Sequence, residues 1–393
     1  MLYTRDCSMF DTSLIEKFQS LPTPFYYYDV ELLKKTLSVL KEISGKFNYK
    51  VHYALKANSN SRILTAIREQ GFGADCVSGN EVIRAIENGF PPERIVFAGV
   101  GKTDAEIKTG LKHDISCFNC ESTQEIEVID QLAGETGKEA RIALRLNPQY
   151  DAGTHRYITT GMQENKFGIY LQNVEDALSL LKRTKNVRLI GIHFHIGSQI
   201  QNIEIFKGLC LRINEIQSLF GKRFDVPEHL NVGGGLGIDY QNPDESSIPD
   251  FENYFGTFQK FLEPRPNQTV HFELGRTVVG QCGSLISRVI FLKPGAGTNF
   301  VILDAGMTEL IRPALYQAYH KIENLTSSET QKKYDVVGPI CESSDYFGKA
   351  VMLPEAHRGD LVAIRSTGAY GEVMASQYNL RDHAPAIYSD DLK

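Results

Sequence analysis

The chain has 393 residues, 42% of them hydrophobic and 23% charged, with a net charge of −6. That balance is ordinary for a globular enzyme, and with no basic run it gives no reason to expect nucleic acid or anionic membranes as partners. No apolar run is long enough to span a bilayer, and residues 1–6 lack the apolar core of a signal peptide. The seven scattered cysteines point to a reducing cytoplasm rather than a disulfide framework.

At this length two domains are expected. A stretch of helical period covers 30–43. Short β-rich runs then alternate with helical stretches. The predicted strands are 52–55, 73–77, 95–98, 115–118, 141–146, 189–194, 229–232 and 269–273. Between them lie amphipathic segments at 61–70, 81–88, 104–111, 123–132, 174–181, 203–220 and 251–262. Strand-helix alternation implies a parallel sheet. Eight such units over roughly 240 residues match a closed α/β barrel of the (β/α)8 TIM type. A doubly wound open sheet is the alternative, but its Gly-rich turn should follow the first strand. Here the Gly-rich turn follows the seventh. After residue 275 the runs 284–292, 300–303, 335–337 and 361–365 are strand-like, with little helix between them, which predicts a C-terminal mainly β domain. Tyr26-Tyr27-Tyr28 adds a strand to it. The expected domains are thus 1–29, packing with the β domain, 30–275, the barrel, and 276–393. Cys117-Phe118-Asn119-Cys120 is formally a CxxC motif. With no second pair, and in a strand-like run, it reads as a buried structural pair, and no metal site is expected.

Barrel enzymes keep their chemistry at the C-terminal strand ends. Lys56 ends the first predicted strand and reads as buried. A desolvated lysine becomes an amine nucleophile that forms imines with aldehydes; the competing role is a lysine snorkelling to solvent. Asp75 and Ser78 lie near the end of the second strand, and Arg145 and Asn147 end the fifth. His195 and Ser198 end the sixth, Gly233-Gly234-Gly235 the seventh, and Glu273, Gly275 and Arg276 the eighth. Glycines let backbone N–H groups approach a phosphate closely, and the loops after strands seven and eight are the usual barrel phosphate site. Arg276 can add a charge-assisted contact; the competing role is an ion pair with Glu273 in the barrel core. A phosphate site, an imine-forming lysine and a buried carboxylate together suggest pyridoxal phosphate (PLP). Glu273 would lie against the pyridine nitrogen, and His195 would stack on the ring. His193 reads as a satisfied core histidine.

Seven motifs carry a wider resemblance. The first three are Gly73-Ala74-Asp75 with Ser78-Gly79, Lys166-Phe167-Gly168 and His195-Ile196-Gly197-Ser198-Gln199. Gly233-Gly234-Gly235-Leu236-Gly237 and Arg312-Pro313-Ala314-Leu315-Tyr316 follow. Cys341-Glu342-Ser343-Ser344-Asp345 and Gly368-Ala369-Tyr370-Gly371 complete the set. With Tyr53-Ala54-Leu55-Lys56-Ala57-Asn58 they span nearly the whole chain. On them the sequence resembles the barrel-type (fold type III) PLP-dependent decarboxylases of basic amino acids, an alanine racemase-like architecture. More narrowly, it resembles the diaminopimelate decarboxylase family. The family usually has proline where Leu274 stands and a second glycine where Asn80 stands.

The resemblance implies a carboxy-lyase that converts meso-2,6-diaminopimelate to L-lysine and CO2, the last step of lysine biosynthesis. A related decarboxylase for carboxynorspermidine or another basic amino acid is the alternative. It implies Lys56 as the PLP anchor and Cys341 as the proton donor. Arg276, Arg312, Tyr316, Glu342 and Tyr370 become substrate contacts, with Tyr370 also near the cofactor. It further implies a cytoplasmic homodimer with shared active sites, Cys341 and Glu342 reaching across from the partner.

Overall fold

The computed structural model describes residues 9–150, 166–220 and 227–392. The expectations for residues 1–8, including the signal-peptide reading, lie outside the described residues. Backbone contacts divide the chain into two units. One holds residues 37–237 and 250–275; the other holds 1–36, 238–249 and 276–393. The contiguous 30–275 expectation therefore differs from the structure at two pieces, 30–36 and 238–249, which group with the β-rich unit.

The first elements in chain order are α1 (Thr12–Gln19), β1 (Phe25–Tyr28) and α2 (Val30–Lys46). Strands β2 (Lys50–Ala54), β3 (Gly73–Cys76), β4 (Ile95–Phe97), β5 (Cys117–Cys120) and β6 (Ala140–Asn147) follow. After the two-residue β7 (Ile169–Tyr170) come β8 (Val187–His193), β9 (His229–Asn231) and β10 (Thr269–Leu274). Apart from β7, which pairs with β6, their order is β5-β4-β3-β2-β10-β9-β8-β6, and β5 pairs with β6. The ring is closed and its pairings are parallel, the barrel the sequence predicts. Its strands are covered on both faces, which is why β3 and β5 are buried at every position, Asp75 and Asn119 included. Cys117 and Cys120 lie in β5 as buried free thiols, and burial pushes the Cys117 thiol up to about 12. They are a structural pair with no thiolate to offer.

The barrel helices are α3 (Ser61–Glu69), α4 (Gly79–Glu87), α5 (Asp104–His113), α6 (Thr123–Thr136), α7 (Val174–Leu181), α8 (Ile203–Phe220) and α9 (Phe251–Phe261). Several start at a side-chain cap, α9 among them at Asp250, which accepts the Asn253 N–H. Asn60, Ser78, Thr103 and Ser122 accept the N–H groups of Arg62, Glu81, Glu106 and Glu125. Each cap contributes about 1 kcal/mol, and this is the role the structure gives Ser78. In α9, Phe251, Tyr254, Phe255 and Phe258 recur at helical spacing and are buried. Tyr254, Phe255 and Phe258 close on Phe272 of β10 with ring centroids 5.7, 4.8 and 4.9 Å away. This aromatic contact ties the helix to the strand that carries Glu273.

In the second unit, α10 (Arg276–Val279) leads into β11 (Gly283–Pro294) and β12 (Asn299–Leu303). Next are α11 (Arg312–Tyr316), β13 (Ile322–Asn324), β14 (Gln331–Val337), β15 (Tyr346–Pro354), β16 (Leu361–Ile364) and β17 (Ala386–Tyr388). The sheet runs β13-β16-β11-β12-β14-β15, and β1 joins it antiparallel to β11 and parallel to β17. Phe10, Phe18, Phe25 and Tyr27 pack on Ile286, Leu361 and Ala363. Residues 238–249 are held by Asp244, whose carboxylate meets Arg365 at 2.6 Å.

At the N-terminal ends of the barrel strands, His52 is buried. Its Nδ1 lies 3.3 Å from the Arg94 carbonyl, and its Nε2 lies 3.0 Å from Nδ1 of His271. Burial drops the His52 pKa from 6.5 to about 4, against the attraction of Glu273. Below pH 6.5 the unfolded chain therefore binds a proton that the folded chain refuses, so stability falls as pH drops through this window toward 4. Urea unfolding at a series of pH values should show this loss, reduced in His52→Asn; a flat profile would refute it.

Candidate active site

The strand β2 ends at Ala54, and Lys56 sits on the single 3-10 turn Leu55–Ala57 that follows. Its side chain is exposed, which corrects the buried lysine expected from the sequence. The surrounding turn, Leu55 and Ala57, is fully buried, so the lysine is fixed at its base. Gly275 makes this possible: a Cβ there would lie 2.9 Å from Ala57 Cβ and 3.2 Å from Ala54 Cβ. A cavity of about 250 Å3 opens beside the turn, lined by Lys56, Arg145, His193, His195 and Glu273 among others.

Glu273 is 7% exposed. Asn231 Nδ2 donates to its Oε1 at 2.8 Å, Asn119 Nδ2 to the same oxygen at 3.2 Å, and His193 Nε2 to Oε2 at 3.0 Å. These donors come from β9, β5 and β8, so the closed ring brings them to one point. Burial alone would raise the Glu273 pKa. The His193 charge and hydrogen bond, then His195 and Lys56, outweigh it and hold the carboxyl well below the usual carboxylate range. His193 is thus more than the satisfied core histidine the sequence suggests, and Glu273 bonds to asparagines and histidine where an arginine partner was one expectation.

Asp75 is 1% exposed in β3, and neither carboxylate oxygen has a hydrogen-bond partner among the described residues. Burial, then the Glu273 charge, raise its pKa well above the ordinary value, with Lys56 acting in the other direction. Two carboxyls of one barrel mouth are therefore pushed apart, one ionised and one poised to carry a proton. His195 is partly buried beyond β8, and its Nδ1 accepts the Gly234 N–H at 3.3 Å. Burial, then the positive charges of Lys56 and Arg145, lower its pKa well below 6.5, so the ring is neutral. Arg145 itself donates to Glu121 at 2.6 Å and lies over the Phe167 ring at 4.8 Å. Ser198 sits partly buried in the loop after β8.

The glycine loop follows β9. Gly233 and Gly235 have φ of +73° and +102°. A Cβ on Gly234 would stand 1.8 Å from the Glu273 carbonyl oxygen, and one on Gly233 2.3 Å from that of Phe194. Only bare backbone fits between these strand ends. The Gly233 N–H is taken by Asn231 Oδ1 at 2.9 Å, so the glycines serve close approach as much as N–H presentation.

A second cluster lies in the β-rich unit. Arg276 opens α10 and Arg312 opens α11; both are 6% exposed. Each donates through Nη1 to the phenol oxygen of Tyr240, at 2.6 and 2.9 Å. The Arg276 guanidinium lies 4.8 Å from the centre of the Tyr370 ring. Tyr370 has φ of +58°, unusual for a bulky residue and a mark of a constrained site. Tyr316 is partly buried at the end of α11 and near enough to act on the Arg276 charge. Cys341 and Glu342 stand on an exposed loop. Asp345 anchors it by accepting the N–H groups of Ile340 at 2.8 Å and Met307 at 2.6 Å.

The structure therefore gathers Lys56, Asp75, His195, Gly233, Gly234, Gly235, Glu273 and Gly275 in the barrel unit. It gathers Arg276, Arg312, Tyr316 and Tyr370 in the other. Sequence reasoning missed Asn119, Asn231 and Tyr240. Asn119 and Asn231 were detectable as lone amides in apolar strands, the second two residues before the glycine run. Tyr240 carried no signal of its own.

Residues 31–280 match the family model described as the pyridoxal binding domain of pyridoxal-dependent decarboxylases. A diaminopimelate decarboxylase from Bacteroides thetaiotaomicron is 57% identical over 96% of this chain and 98% of its own. One from Aquifex aeolicus is 39% identical over 98% of this chain and 91% of its own. The crystal structure of diaminopimelate decarboxylase from Helicobacter pylori, complexed with L-lysine, superimposes with a TM-score of 0.90 at 39% identity. It covers 96% of this chain and 94% of that one. The chain belongs to the diaminopimelate decarboxylase family of pyridoxal-dependent decarboxylases.

Proposed function

We propose that this protein removes one carboxylate of meso-2,6-diaminopimelate as CO2 and leaves L-lysine, with pyridoxal phosphate as its cofactor. The observation that carries the reading is Glu273, a buried carboxylate kept ionised by His193, Asn119 and Asn231 in a cavity that Lys56 lines. The residues fit PLP. Its aldehyde needs an amine, which Lys56 offers, and its ring nitrogen needs an anion, which Glu273 offers. The Gly233–235 backbone, where any side chain would collide, suits its phosphate.

Bound there, PLP would supply an electron-accepting ring for the pair released on loss of CO2. The protein's residues do the rest. Lys56 holds the cofactor. Glu273 stays charged and keeps the ring nitrogen protonated, while the neutral His195 ring offers a face for stacking. Arg312, with Arg276 and Tyr316, binds the carboxylate that remains; Glu342 and Tyr370 receive the amine beside it. Cys341 returns a proton to the carbon that lost CO2.

Cys341 and Glu342 serve the site of a second copy in a homodimer. Supporting this, Cys341 through Ser344 are all exposed, and the Cys341 N–H is tied to Asn379 at 3.0 Å. Leu380, the next residue, is 96% exposed, an apolar side chain suited to burial by a partner. The six described cysteines are all free, which supports a cytoplasmic location.

The purified protein should release CO2 and L-lysine from meso-diaminopimelate faster than CO2 from carboxynorspermidine, ornithine or arginine. A preference for carboxynorspermidine would replace this reading with the alternative. Lys56→Ala should abolish turnover and the visible absorbance of the bound cofactor; near-normal activity would sink the anchor role. Cys341→Ala should keep the cofactor and lose turnover by roughly 10²-fold or more. Mixing that variant with Lys56→Ala should restore part of the activity, because a hybrid dimer holds one intact site. No recovery after subunit exchange would argue against shared sites.

A further inference from the structure

Tyr240 lies in the 238–249 segment and is 8% exposed. Its phenol oxygen accepts from two guanidiniums, Arg276 at 2.6 Å and Arg312 at 2.9 Å. Two incoming N–H bonds fill both acceptor positions of a hydroxyl, and the shorter has the length of a charge-assisted bond. Two buried guanidiniums this close repel, and the repulsion is visible in Arg312. Burial first, then the Arg276 charge, lower its pKa, against the pull of Tyr240. Burial would raise the Tyr240 pKa, but Arg276 and Arg312 outweigh it and bring the phenol below its ordinary 10. The lone pairs of this oxygen, accepting from both guanidiniums, offset part of the doubled positive charge.

Arg312 has a second tether. Its Nη1 lies 2.9 Å from His320 Nε2, and His320 Nδ1 lies 2.8 Å from the Arg365 carbonyl oxygen. That carbonyl can only accept, so Nδ1 carries the hydrogen and Nε2 accepts from Arg312. Burial and the Arg312 charge drop the His320 pKa to about 3, so the ring stays neutral and can accept. The Tyr240 and His320 rings meet edge to face, centroids 4.9 Å apart. Among the described residues no carboxylate pairs with Arg312. A buried guanidinium held by neutral or weakly acidic partners is left to take its counter-ion from a ligand.

We propose that Tyr240 is a positioning residue for substrate selection: its phenol oxygen, shared by Arg276 and Arg312, holds both guanidiniums to receive the substrate carboxylate remote from the reacting carbon. This rests on the reading of Arg276 and Arg312 as substrate contacts. Tyr240 itself touches no reacting atom. It converts two mutually repelling cations into one carboxylate-binding pair, and His320 fixes the outer member.

The test is Tyr240→Phe in the cofactor-loaded enzyme. The KM for diaminopimelate should rise roughly tenfold or more, the loss of one charge-assisted bond per arginine, while kcat changes by less than about threefold. Calorimetry should show L-lysine binding weakened by a similar factor. Cadaverine, the same diamine without the carboxylate, should bind the variant and the parent alike. Unchanged KM and lysine affinity would overturn the proposal. Equal losses for lysine and cadaverine would also overturn it, since that is the mark of general structural damage. If the parent released no CO2 from diaminopimelate, the functional reading would fail; the lysine and cadaverine comparison would still decide the role of Tyr240.

Discussion

A carboxylate at 7% exposure should lose its charge, and Glu273 keeps it. The chemistry of the barrel mouth depends on that. The bonds that stabilise the anion come from β5, β8 and β9, while Glu273 itself sits on β10. No local segment could assemble this set. Only closure of the ring, with each strand held in register by its two neighbours, places two amides and an imidazole on one carboxylate. The aromatic packing of α9 on Phe272 and the caps at Asn60, Ser78, Thr103 and Ser122 serve that register indirectly. They fix the helices that bridge the strands.

The same electrostatics govern Asp75. With Glu273 ionised nearby and no donor on its own oxygens, Asp75 has its pKa raised, while Lys56 limits the rise. A carboxyl held below the usual range thus acts on another whose pKa is raised. The arginine cluster inverts the problem, with two cations and a phenol oxygen between them. In both places a buried charge is tolerated because its neighbours give up or share theirs.

Much of the fold was legible in the sequence. The eight barrel strands fall within a few residues of their predicted places, because doubly covered parallel strands read as continuous apolar runs. Glu273, His195 and the glycine turn were legible because strand ends are where barrel side chains converge. The exposure of Lys56 was not legible, since a 3-10 turn one residue beyond the strand changes where the side chain points without changing the apolar pattern. Asn119 and Asn231 showed in the sequence only as lone amides inside strands, where an amide reads as an interruption until its partner across the ring is known. Tyr240 was hidden for a different reason: its partners, Arg276 and Arg312, lie 36 and 72 positions further along the chain. The grouping of 238–249 with the β-rich unit has no compositional boundary to mark it.

That grouping has a bearing on how such a chain can change over generations. The polypeptide passes between its two units four times, at 36/37, 237/238, 249/250 and 275/276. A recombination that joined one parent's residues 1–275 to another's 276–393 would look clean along the sequence. It would nevertheless set a Tyr240 and an Asp244 of one ancestry against an Arg312 and an Arg365 of the other. The stretches 1–275 and 276–393 are therefore not interchangeable modules. Residues 238–249 and the later segments they touch must change in step, and inheritance must carry them together.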